Sequence, residues 1–134
     1  QQADIVGLNA SLHAGSVGPE TALSALGERF LERRNWVEEA AGDRFAQIEL
    51  QMNTFMTAVT SSTSEAEEMF NGMAPMFGLT AEQAKTIPMV LAGTVNDVCE
   101  QLERYRDQYG TSYWVIHDGE IETMAPVVAK LAGS

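Results

Sequence analysis

Apolar side chains recur at Val95, Val98, Leu102, Tyr105 and Tyr109, three and four positions apart, as on one face of a helix. Ahead of them a short apolar run, Met89–Ala92, ends in Gly93. Thr94 and Asp97 then have the spacing of a reciprocal helix cap. Gly110 supplies a stop, and Ser112–His117 carries Tyr, Trp, Val and Ile, side chains that suit a strand. The pattern predicts a helix delivered onto a strand, the repeating unit of an α/β protein.

The rest of the chain extends the same alternation. Ala3–Asn9 is a short β-type run, followed by a Gly- and Ser-bearing loop from Ser11 to Pro19 that contains His13. Glu20–Ala41 turns helical, with Leu23, Leu26, Phe30 and Val37 on one face, Gly27 as a point of weakness and Gly42 as the stop. Phe45–Asn53 has the period of a strand, Ile48, Leu50 and Met52 alternating with Glu49, Gln51 and Asn53. Ser64 with Glu67 predicts a capped helix running to about Phe77, with Met69, Met73 and Met76 as its apolar stripe, a core or subunit contact. Thr80 with Gln83 opens a short helix limited by Pro88, and Ile121–Leu131 forms a last amphipathic helix. Strand, helix, strand, helices, strand, helix is the order of right-handed βαβ units with a parallel sheet.

Size allows one domain, residues 1–134 as a single unit. The net charge of -11 opposes nucleic acid and anionic membrane surfaces as partners, and no run of about eighteen apolar residues is present to span a membrane. The expectation is a cytoplasmic protein. The single cysteine, Cys99, falls inside the helix after Thr94 and reads as a buried, inert thiol. The chain begins with Gln1 and runs almost at once into a strand, so a missing front portion is expected.

The sequence has neither a GxGxxG nor a GxxxxGK[ST] phosphate loop, no HExxH and no GxSxG. A family resemblance carries more. Leu91–Ile116, LAGTVNDVCEQLERYRDQYGTSYWVI, resembles the C-terminal region of luciferase-like monooxygenases, in which a Leu-Ile-Gly-Thr/Ser-Pro-Glu-Glu-Val pattern leads into a helix, a glycine and a strand. Leu91, Gly93, Thr94 and Val98 match, while Val95 replaces the usual proline. Agreement continues in Ala3–Leu8, Trp36–Gln51 and Ala125–Gly133, the last looking most like the actinobacterial deazaflavin-type branch.

The resemblance implies the C-terminal part, about three βα units, of a (β/α)8 barrel, a fold that takes about 250 residues. It implies FMN or a deazaflavin coenzyme and a small-molecule substrate. It also implies a need for the missing N-terminal portion, or a second copy, to restore the sheet. Active sites of such barrels lie at the C-terminal strand ends. By that rule Asn9, Asn53, Thr54 and Asp118 are expected to line the pocket, with His117 as the one residue suited to proton transfer. Gly93 and Thr94, at a helix N-terminus, could hold an anion. The alternatives are a non-catalytic half-barrel acting as a dimerisation or scaffold module, and an unrelated small α/β binding domain, which a closed three-stranded sheet would favour.

Overall fold

The computed structural model describes residues 3–12, 15 and 18–134; His13 lies outside them. In chain order the elements are β1 (Ile5–Leu8), α1 (Pro19–Ser24), α2 (Gly27–Ala41), β2 (Glu49–Asn53), β3 (Met56–Val59), α3 (Thr63–Met73), α4 (Ala81–Lys85), β4 (Val90–Gly93), α5 (Val95–Tyr109), β5 (Thr111–Val115) and α6 (Ile121–Leu131). All pairing is parallel, in two open sheets. β1, β2 and β5 lie side by side in that order, and β3 pairs with β4.

The described chain therefore has five strands, where the alternation of patterns predicted three. The two additional strands arise where the chain leaves β2. The Thr54 amide and hydroxyl both donate to the Val115 carbonyl, at 2.8 and 3.1 Å, and make the last contact with β5. The Phe55 amide then donates to the Met89 carbonyl at 2.7 Å, which carries the chain across to β4.

Elsewhere the boundaries move for local reasons. The helix expected over Glu20–Ala41 is two, α1 and α2, separated at Ala25–Leu26 just before Gly27. The strand expected from Phe45 starts at Glu49, because Gly42–Gln47 winds as a 3-10 turn. The cap of α3 is Ser62, whose hydroxyl accepts from the Glu65 amide, and not Ser64. Ala66 and Phe70 form the buried stripe of α3; Met69 and Met73 flank it half-buried, and Met76, in the 3-10 turn that follows, is exposed.

In the three-stranded sheet, Val6 and Leu8 of β1 stand beside Leu50 and Met52 of β2, with Thr111 and Trp114 of β5 beyond. This face is covered by α2 and α5, which also pack on each other. Phe30 of α2 meets Tyr109 of α5 edge to face, and Tyr105 lies against Tyr109 and Trp114. Phe30, Met52, Leu91, Val98, Tyr109 and Val127 are essentially sealed from solvent. Burial, with Tyr105 adding a smaller effect, pushes the Tyr109 phenol up to about 12. Cys99 is buried, as read.

The opposite face is another matter. Ile5, Gly7, Glu49, Gln51, Asn53, Tyr113 and Val115 share it, and Ile5, Tyr113 and Val115 remain 53, 42 and 39 % exposed. A parallel sheet ordinarily has both faces covered.

Candidate functional site

The bare face leads up to the C-terminal ends of β1 and β2, where Asn9 and Asn53 stand on the rim of a cavity of about 390 Å³. Ala22 and Ala25 at the α1 end close one side. Phe55, the residue that crosses between the sheets, forms another with Phe77, their rings edge to face at 6.4 Å. Met73, Met89 and Val90 complete the wall. Gly42 and Gly78 both take positive φ; the one at Gly78 ends the 3-10 turn that holds Phe77 in place.

One of the two rim carboxamides, Asn53, is bonded to a third, Gln51. The Gln51 Nε2 donates to Asn53 Oδ1, and a Cβ at Gly7 would come within 2.7 Å of Gln51 Oε1 and 3.4 Å of Asn9 Nδ2. The missing side chain at Gly7 leaves the room that the Gln51 and Asn9 amides occupy beside β1.

Beside the cavity, and sharing Asn9, Ala10 and Thr21 with it, runs a wider groove carrying Arg29, Arg33 and Trp36. Arg33 donates to the Ser24 carbonyl at 2.7 Å, and Arg29 pairs with Glu32 at 3.3 Å. Burial draws the Arg33 pKa down, Glu32 opposing and Arg29 adding to the effect; a guanidinium keeps its charge regardless.

The other expected site residues lie apart from this cavity. Thr54 is buried beneath the rim, its hydroxyl committed to Val115. Gly93 and Thr94 do open α5, and the chain's own Asp97 carboxylate sits against them. Its Oδ2 accepts from the Thr94 amide and from the Thr63 hydroxyl, each at 2.9 Å. Gly93, at φ +151°, is fixed by the same cap, since a Cβ there would meet Asp97 Cβ at 2.5 Å. The geometry of this pair is that of a reciprocal helix cap.

His117 and Asp118 follow β5 and are exposed. The His117 amide donates to Glu120 Oε2 at 3.2 Å, and Asp118 Oδ1 accepts from the Gly119 amide. Glu120 was not singled out by any pattern, yet its other oxygen accepts from the Thr57 amide at 2.8 Å and ties β3 to the turn after β5. Its only sequence signal is the three-residue spacing from His117.

Among the described residues no group of three or more His, Cys, Asp or Glu is placed to hold a metal ion, and no helix is long and apolar enough to cross a membrane. No protein-family model, curated protein or solved structure matches the chain.

Proposed function

We propose that the chain is the C-terminal part of a cytoplasmic luciferase-like oxidoreductase that works with FMN or a deazaflavin coenzyme on a small-molecule substrate. The single observation that carries this reading is the one-sided sheet. Parallel strands lying side by side as β1, β2 and β5, with helices on one face and a bare, mixed-polarity face on the other, support a segment of a (β/α)8 barrel whose interior is the bare face. In a doubly wound sheet helices would cover both faces.

The residues present suit coenzyme and substrate in two adjoining places. The cavity walled by Phe55, Phe77 and Met89, with Asn9 and Asn53 at its rim and no charged side chain among its described lining, suits the small-molecule substrate. Arg29 and Arg33 are the cations of the adjoining groove, which also carries Glu20 and Glu32; Arg33, outside the Arg29–Glu32 pair, is where a phosphate would be met. The coenzyme, when bound, supplies the hydride or oxygen chemistry. The chain's own part is to orient and to exclude water: Phe55 and Phe77 shield one side, and the rim amides fix the edge. His117 would reach a proton only from the turn beyond β5, outside the cavity lining, so positioning is the stronger role for this chain.

A second reading, a non-catalytic half-barrel that pairs with its own copy, draws on the same bare face and on the open outer edges of β1 and β5. Intact-mass analysis with light scattering on the purified material separates the two. A co-purifying polypeptide of about a hundred residues or more, together with visible flavin or deazaflavin absorbance, is the expected result. A colourless homodimer of the 14.6 kDa chain would overturn the oxidoreductase reading and leave the scaffold.

A further inference from the structure

The cavity at Asn9 and Asn53 differs in kind from its neighbours. Its lining among the described residues contains no charged side chain, in a chain of which 20% is charged. The adjoining groove carries Arg29, Glu32 and Arg33, and the groove between α5 and α6 carries Glu103 and Arg106. Moving a carboxylate or an ammonium into the charge-free site would cost its hydration with no counter-ion in return.

Three further features narrow the ligand. The edge-to-face Phe55 and Phe77 rings offer an aromatic wall to a flat molecule. Met73 and Met89 are soft, adaptable surfaces on the remaining sides. At the rim, Asn53 Oδ1 already accepts from Gln51, while the two N–H groups of Asn53 Nδ2 have no acceptor among the described residues and can donate. A volume of about 390 Å³ lies in the lower part of the range for small-molecule sites, about 300–1,000 Å³.

We infer that this cavity binds a neutral, ring-bearing molecule whose polar edge is a carbonyl-type acceptor, held by Asn53 at the rim. The inference rests on the proposed function only in taking this cavity as the ligand site, and it specifies the class of substrate. Phe55 and Phe77 supply affinity; Asn53 supplies the preference for an acceptor.

The test uses the purified chain and three naphthalenes of one size: acetylnaphthalene, ethylnaphthalene and naphthoate. Binding is followed by amide chemical shifts. The acetyl compound is expected to bind about tenfold more tightly than the ethyl compound, as one retained hydrogen bond allows, and naphthoate more weakly than either. The shifts should centre on Asn53, Phe55 and Met89. Asn53→Leu should remove the tenfold preference and leave the ethyl compound unchanged; Asn53 is exposed, so this variant leaves the core intact. Phe55→Ala should weaken all three together.

Naphthoate binding as well as the ketone would overturn the inference. So would shifts centred on Arg29 and Arg33, or no binding at all. Flavin in the co-purified complex with no ketone binding would overturn this inference alone. Ketone binding in a colourless homodimer would support it and remove the redox reading.

Discussion

At Gly27 a methyl group would face two neighbours that cannot give way together. A Cβ there would lie 2.6 Å from the Tyr109 hydroxyl and 2.8 Å from the Thr86 carbonyl oxygen. The first sits at the end of a ring wedged between Phe30 and Tyr105, and the second is backbone. Gly27→Ala is therefore expected to destabilise the chain by about 1–3 kcal/mol, in line with other overpacked cores, despite alanine's better helix propensity. Thermal denaturation followed by circular dichroism reads this directly; an unchanged or raised midpoint would show that α2 is free to shift away from α5. Sequence reading saw Gly27 only as a weak point in a helix. The reason it is glycine, contact with Tyr109 far along the chain, has no local signature. The strand-end positions of Asn9 and Asn53 were legible because they follow from the strand pattern alone. Phe55 and Phe77 were not, because what brings them together is the crossing between two sheets.

At the scale of elements, caps carried the most information. Thr94 with Asp97 and Thr80 with Gln83 form the reciprocal caps their spacing predicts, and Gly110 closes α5 with φ +74°. The run Ser61–Ser64 is different: Ser62 with Glu65 and Ser64 with Glu67 have the same spacing, and only the need to bury Ala66 and Phe70 decides between them. β4 was missed because the wholly buried Val90–Gly93 shows no alternation, and β3 because Met56–Val59 follows β2 after only two residues with no turn signal between them. The Asp97 cap also gives the fold an acid sensitivity. The Thr94 amide, then the hydroxyls of Thr63 and Thr94, hold the Asp97 carboxyl below its ordinary 3.8. A group lowered in this way adds stability that is complete above pH 3.8 and is lost as pH falls through the lower, folded value. Asp97→Ala should lower the denaturation midpoint at neutral pH and flatten the decline below pH 3.8, so that variant and parent converge in acid. A difference between them that stays constant down to the lowest pH would assign the Asp97 contribution to packing.

The molecule as a whole poses a problem that none of its parts does, because its hydrophobic accounting is finished on one side of the sheet only. Leu50, Met52 and Trp114 face helices, while their strand neighbours Gln51, Asn53, Tyr113 and Val115 face outward. Open parallel edges at β1 and β5 add unpaired backbone groups to that exposure. Alternating polarity along β2 was read correctly from the sequence, but alternation alone does not tell a solvated face from one that another chain or segment covers. The two differ in what a charge does there. The double substitution Tyr113→Glu and Val115→Glu adds two carboxylates to side chains already 42 and 39 % exposed. If water covers the face, stability should change by less than about 1 kcal/mol and the solution mass not at all. If the face is the interior of an assembled barrel, or the seam of a dimer, each carboxylate must be buried without a partner. The assembly should then dissociate to the 14.6 kDa chain in light scattering, while circular dichroism of that chain keeps its α/β signature. Dissociation is the expected outcome, since Ile5, Tyr113 and Val115 are exposed together on this face. An assembly that survives both charges would place its contacts on the edges of β1 and β5 and leave the face to solvent.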